Sequence, residues 1–204
     1  MARYMRALTI GLSAALILSV AVGTAAARNF SISNQNFRIT WSPLHLTAGE
    51  FENDCHVTLE GSFHSRTIAK VLGTLLGYVT RVFIQRCTLS TSTGLNLPWH
   101  IRYSGFIGAL PNIQRIRVHL IDASFLISVL GIGCLYRSTA ARPAVGDLIR
   151  EAGGAVTSLE PDPTAPIPLA IQLAGFGCPR EGTFERSGHI TLLGTSTRIS
   201  LSLI

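Results

Sequence analysis

The stretch Cys55–His64, CHVTLEGSFH, decides the fold class of this chain. Its apolar residues Val57, Leu59 and Phe63 alternate with polar residues. Successive side chains of a β-strand point to opposite faces, so this period of two predicts a strand with one buried face. The stretch therefore sets the pattern to look for in the rest of the sequence.

The same alternation recurs in Trp99–Tyr103, Arg115–Leu120 and Arg198–Leu203, while Tyr78–Arg86 is rich in β-branched and aromatic residues. Glycine and proline residues separate these segments, as turns require. Many short strands with regular turn signals predict an all-β protein. We expect an antiparallel β-sandwich, immunoglobulin-like or jelly-roll-like.

Two segments leave room for one short helix. Thr67–Leu76 carries apolar residues near helical spacing, although Gly73 weakens a helix there. Asp147 could cap a short helix that runs through Glu151. Strand and helix both stay open at these positions.

The N-terminus has the layout of a secretory signal peptide. A basic start with Arg3 and Arg6 precedes the apolar segment Ala7–Gly23, and small residues follow at 25–27. We therefore expect residues 1–27 to be a signal peptide and residues 28–204 to form one secreted or cell-envelope domain. A retained membrane anchor is the alternative. No later segment offers about 18 clean apolar residues for a transmembrane span.

The four cysteines agree with export. Cys55, Cys87, Cys134 and Cys178 are an even number, which an oxidising compartment would pair. Three connectivities are possible, and the sequential one, Cys55–Cys87 with Cys134–Cys178, is favoured because its loops are the smallest. The sequence contains no CxxC motif, which argues against a zinc or thioredoxin-like site.

Composition excludes several classes of protein. The chain of 204 residues is 47% hydrophobic and only 14% charged, unlike a disordered chain or a coiled coil. Its net charge is +6, but the basic residues are scattered, and only Arg115 and Arg117 share one strand face. Nucleic-acid binders usually cluster their charge, so no nucleic-acid partner is expected.

The sequence carries no recognised catalytic motif: the nucleophile elbow, the phosphate-binding loop and the HExxH pattern are all absent. His56, Glu60 and His64 share one strand face. Residues four apart on a strand lie about 13 Å apart, so they cannot hold one metal ion without a partner from another strand. Polar residues on a solvent-facing surface are the preferred interpretation.

Other candidates are weaker. Glu50, Glu52 and Asp54 form the one dense acidic cluster and are weak candidates for a calcium site, although a solvated turn is preferred. Asp122 lies in an apolar run and could be a perturbed acid or a hydrogen-bonded strand residue. No cofactor is expected. Trp41, Trp99 and Tyr103 could stack on a sugar if they are exposed. Because Trp99 and Tyr103 lie on the apolar face of their strand, we expect these two to pack in the core.

The C-terminal stretch CPREGTFERSGHITLLGTSTRISLSLI, from Cys178 onwards, combines a Cys-Pro turn, a glycine-punctuated hairpin and an alternating strand. Together with the leader, it resembles in layout the small exported β-proteins of GC-rich bacteria. That resemblance implies export and no particular activity. The expected function is a non-catalytic binding or structural role, with an envelope polymer, a lipid or a protein as partner. The alternative is an extracellular hydrolase with an unrecognised Asp/Glu/His site.

Overall fold

The computed structural model describes residues 29–174 and 177–204, and this part of the chain contains strands and no helix. All of the strand pairings are antiparallel. In chain order the strands are β1 (Asn29–Ile32), β2 (Asn36–Ala48), β3 (Phe51–Phe63), β4 (Thr67–Ala69), β5 (Leu75–Gln85), β6 (Thr91–Leu95), β7 (Trp99–Ala109), β8 (Asn112–Ile121), β9 (Ser124–Val129), β10 (Ile132–Arg137), β11 (Ala144–Arg150), β12 (Ala155–Pro161), β13 (Ile167–Ala174), β14 (Glu181–Glu185), β15 (Gly188–Leu192) and β16 (Ile199–Leu203).

Eight of these strands close into a barrel, in the order β2, β3, β5, β7, β8, β11, β12, β15 and back to β2. Strand β15 completes the ring because it pairs on both sides, His189 with Thr40 of β2 and with Ser158 of β12. The all-β prediction is confirmed. The prediction of an immunoglobulin-like or jelly-roll-like sandwich is corrected, because this one short strand joins the two ends of the sheet.

Strand β2 also starts a second sheet. Its register shifts between Trp41 and Leu44, around Pro43, and a proline has no N–H for a ladder. Before the shift, β2 pairs with β15; after it, Thr47 pairs with Thr183 of β14. The second sheet continues in the order β14, β13, β10, β9, β6. One bulged strand thus serves two sheets.

The barrel interior is apolar, every barrel strand contributes side chains to it, and it contains small apolar cavities. The inward residues predicted for β3, Val57, Leu59 and Phe63, are all buried. The side chains that meet inside are Phe37, Ile39, Leu59, Phe63, Val79, Ile101, Val118, Leu120, Leu148, Leu159 and Ile190.

Strands β4, β1 and β16 extend the sheet at one end of the barrel. Phe30 of β1 is fully buried, and its ring packs edge-to-face on Tyr103 of β7 with the centroids 5.5 Å apart. The end of the barrel where β3 finishes and β5 begins is called the groove end below. Its outer surface holds the candidate site.

Both possible helices are strands. Thr67–Leu76 forms β4, a turn and the beginning of β5, and Asp147 lies within β11. Strand β11 is bonded on both sides, to β8 and to β12, and Asp147 forms two hydrogen bonds with Arg117. Tertiary pairing therefore overrides the weak local helix signals.

Both disulfide bonds follow the favoured connectivity. Cys55 pairs with Cys87 and Cys134 pairs with Cys178, with Cα–Cα distances of 4.1 Å and 5.7 Å. The first ties β3 to the segment after β5, and the second ties β10 to the segment before β14. Two such bonds are compatible with an extracellular protein. The predicted signal peptide, residues 1–27, lies outside the described residues.

Candidate functional site

A polar groove of about 490 Å³ lies at the groove end of the barrel. It forms where the connection between β1 and β2 meets the end of β3 and the start of β5. The groove is polar and open to solvent. Its lining residues are Asn34, Gln35, Asn36, Ser62, Phe63, His64, Arg66 and Tyr78.

Hydrogen bonds to the backbone hold the groove residues in place. The Phe63 N–H donates to the Gln35 carbonyl (2.8 Å), and the Gln35 side-chain Nε2 donates to the Phe63 carbonyl (3.3 Å). The Asn34 side chain accepts from the Asn36 N–H (3.1 Å), an Asx turn typical of asparagine. The Arg66 carbonyl accepts from the N–H of Ile32. The polar side chains therefore stand on a fixed frame.

No carboxylate lines the groove. The sequence from Gly61 to Ile121 contains no Asp or Glu. Arg66, which lies in this stretch, is the arginine that lines the groove. Amides and hydroxyls both donate and accept hydrogen bonds, and a guanidinium binds carboxylate or phosphate in a bidentate manner. Such a lining suits a polyhydroxylated ligand that carries anionic groups.

Tyr78 links the groove to a row of polar groups on the outer barrel surface. Its ring lies edge-to-face against His100, with the centroids 5.4 Å apart, and against His64 at 6.5 Å. The next member, Asp122, lies 3.3 Å from His100 Nδ1 and 3.1 Å from Arg137 Nη2. Asp122, an open candidate from the sequence, is thus a half-exposed turn residue in an ion pair.

The face that carries His56, Glu60 and His64 does not form a site. The Ser42 hydroxyl lies 2.8 Å from His56 Nδ1, and Arg38 donates to the buried Glu60 carboxylate at 2.7 and 2.9 Å. Of the three, only His64 lines the groove. The structure therefore does not bring His56, Glu60 and His64 together in one site.

The acidic candidates also separate. Asp54 is bonded to His45 Nδ1 at 2.8 Å and lies 3.5 Å from Arg186, while Glu50 and Glu52 are exposed. Within residues 29–174 and 177–204, no group of three or more His, Cys, Asp or Glu side chains could share a metal ion. Only Glu50 lies in the turn between β2 and β3, whereas Glu52 and Asp54 lie within β3, so the solvated-turn interpretation does not hold for these two residues.

Charges on β8, β11 and β12 neutralise one another. Arg117 forms two hydrogen bonds with Asp147, which raise the pKa of the guanidinium, and Arg115 donates to Glu160 at 2.7 Å. Burial, and then the nearby Arg117 charge, lower the pKa of His119. The strand face with two arginines therefore presents ion pairs rather than free positive charge.

Trp41, Trp99 and Tyr103 are buried, with 3%, 0% and 4% of their surfaces exposed, as the alternation predicted for Trp99 and Tyr103. None of them is available to stack on a sugar.

Most of the groove residues were not predicted from the sequence. The one local signal was the polar run Asn34–Asn36 before an alternating strand. Tyr78 gave none, because only the pairing of β3 with β5 places it beside Ser62.

Comparisons with models of protein families, with curated protein sequences and with solved structures find no match for this chain. Across the described ranges, none of the structure is a helix of the length and hydropathy needed to cross a membrane.

Proposed function

We propose that this chain is an exported, non-catalytic binding protein of the cell envelope and that its polar groove binds an anionic polysaccharide. The observation that carries the proposal is the groove lining, which combines amide, hydroxyl and guanidinium groups with no carboxylate. A concave surface that carries positive charge and hydrogen-bond donors attracts an anionic ligand. Because no carboxylate lines the groove, no negative side chain there repels such a ligand. Export rests on the leader and on the paired cysteines.

Arg66 is the central residue of the proposal. Its side chain is exposed, while its backbone carbonyl is bonded to the Ile32 N–H. The backbone of Arg66 is therefore fixed, and its guanidinium is accessible to a ligand. Hydrogen bonds to charged groups contribute about 1.5–3 kcal/mol, so loss of this contact should weaken binding by about tenfold or more.

The test is calorimetric titration with polygalacturonate, an anionic polysaccharide, and with uncharged dextran, at about 0.05 M and 0.5 M salt. The variant Arg66→Gln is compared with Arg86→Gln, which removes the same charge from an exposed site at the opposite end of β5. We expect polygalacturonate to bind at both salt concentrations and Arg66→Gln alone to weaken it. Equal losses in the two variants would mean that net charge alone drives binding, and the proposal would then fail.

A second assay uses isolated bacterial cell envelopes. The exported protein should sediment with them at low and high salt, and Arg66→Gln should remain in the supernatant. A wild-type protein that stays in the supernatant at both salt concentrations would contradict the envelope assignment.

A further inference from the structure

A pocket of about 360 Å³ lies beside the second sheet, and we call it the apolar pocket. It is formed by the turn between β2 and β3, by strands β9 and β10 and by the segment before β14. Its walls include three aliphatic side chains, Ile127, Val129 and Ile132, and two aromatic ones, Phe51 and Tyr136. Small-molecule sites in proteins are typically concave and lined mainly by such side chains, with a few polar groups that orient the ligand.

Three contacts hold the walls of the apolar pocket together. The disulfide bond between Cys134 and Cys178 joins β10 to the segment before β14. The Tyr136 hydroxyl donates to the Pro179 carbonyl at 3.1 Å. The turn between β2 and β3 packs on the same proline, since a Cβ at Gly49 would lie 3.5 Å from the Pro179 ring. The pocket is therefore preformed, and a ligand would not have to order its walls.

Glu50 is the one charged residue among the described residues that line the pocket. Its side chain is exposed, so the carboxylate lies where the pocket meets solvent. None of the described ion pairs involves Glu50, although Arg180 follows the lining residue Pro179 in the sequence. The negative charge of Glu50 is therefore not neutralised by a neighbouring basic group of the described chain.

This combination selects a ligand by its charge. No Lys, Arg or His is among the described lining residues, so an anionic ligand would find no positive partner there and would be repelled by Glu50. An ammonium group would instead pair with the Glu50 carboxylate, and the faces of nearby aromatic rings such as Phe51 also attract cations. The apolar walls would take up the hydrophobic part of the same molecule.

We infer that the apolar pocket binds a small hydrophobic amine, with its apolar body against Ile127, Val129 and Ile132 and its ammonium group at the Glu50 carboxylate. This site shares no lining residue with the polar groove, and its charge preference is the opposite. The inference therefore goes beyond the proposed function and does not depend on it.

The test is an NMR titration of the oxidised, ¹⁵N-labelled exported protein at neutral pH with three probes. Tryptamine, tryptophol and indole-3-propionate share an indole ring and a two-carbon arm, and they end in an ammonium, a hydroxyl and a carboxylate group. Shifts of the backbone amides of Phe51, Ile127 and Val129 report binding in the pocket. Changes confined to amides elsewhere in the protein would overturn the inference.

We expect tryptamine to bind about threefold or more tightly than tryptophol, and indole-3-propionate to bind most weakly. Glu50→Gln should lower the affinity for tryptamine to that for tryptophol. The matched control Glu52→Gln removes the same charge from an exposed residue that does not line the pocket, and it should stay within about twofold of wild type. Equal affinities for the three probes, or equal losses in the two variants, would overturn the inference.

A pocket-filling variant tests the place of the apolar body. Val129→Trp should weaken the binding of tryptamine and tryptophol about tenfold or more, because the added ring takes up the space for the indole. Its control, Leu130→Trp, adds the same ring at the next residue, which is 99% exposed, and should bind as wild type does. Thermal melts confirm that the variants are folded, and unchanged binding by folded Val129→Trp would overturn the inference. Arg66→Gln should bind tryptamine normally, so failure of this site and failure of the groove can be told apart.

Discussion

Closure of the barrel depends on the absence of a side chain at Gly188. This residue begins β15, the strand that joins the two ends of the sheet, and it is buried against Trp41. A Cβ built at position 188 overlaps three atoms of the Trp41 indole ring. The ring is 3% exposed, and because its Nε1 donates to the Arg186 carbonyl at 3.0 Å, it cannot shift without straining this bond. We therefore predict that Gly188→Ala is strongly destabilising.

The size of the effect follows from two contributions. Inserting a methyl group against a buried side chain costs about 1–3 kcal/mol, and displacement of the indole would lose a hydrogen bond worth about 1 kcal/mol. The expected loss in the free energy of unfolding is thus about 2–4 kcal/mol. Gly182→Ala in β14 is the matched control, since its Cβ would lie 3.3 Å from the flexible end of Leu46. That control should change stability by less than about 1 kcal/mol.

Urea denaturation of the oxidised protein, followed by tryptophan fluorescence, measures both variants. In a Trp41→Leu background the effect of Gly188→Ala should shrink, because the overlapping ring atoms are gone. If Gly188→Ala has wild-type stability, or if its effect is undiminished in the Trp41→Leu background, the reasoning is refuted. The overlap between a side chain at position 188 and the Trp41 indole would then not oppose closure of the barrel.

Three further predictions use the same unfolding assay or a titration. Replacing Cys134 and Cys178 with serine should lower stability by about 3–4 kcal/mol, and an unchanged urea midpoint would contradict it. Because the folded pKa of His119 lies below the unfolded value of about 6.5, its neutral form stabilises the fold above that pH, and the contribution is lost as pH falls below it. An NMR titration midpoint for His119 at or above 6.5 would refute this. Glu60→Gln should cost about 1–2 kcal/mol through its weakened bonds to Arg38, and wild-type stability would show that the pair contributes nothing.

The alternation of apolar and polar residues predicted the buried residues correctly where a strand has one buried face. Alternation in β3 identified Val57, Leu59 and Phe63 as core residues, since burial on one face repeats every second residue. Loop length likewise favoured the two disulfide pairings that the structure contains. These features depend on neighbours along the chain or on a simple entropy argument.

The helix alternatives at Thr67–Leu76 and Asp147–Glu151 show that local sequence alone did not distinguish helix from strand. Each segment has a weak helical spacing, yet strand partners on neighbouring elements satisfy its backbone. The groove is a stronger example, because its members come from segments 34–36, 62–66 and 78. Their proximity is created by strand register, which no single segment specifies.

By itself, the sequence determined the all-β class and the inward faces of the clearest strands, because both are expressed in short-range periodicity. Loop length favoured one of three possible cysteine pairings, and the structure decided between them. Only the tertiary structure decided that the sheet closes through β15, that β2 bends at Pro43 to serve two sheets and that polar side chains meet at one end of the barrel. The physical reason is that these outcomes depend on contacts such as Gly188 with Trp41, between residues far apart in the chain.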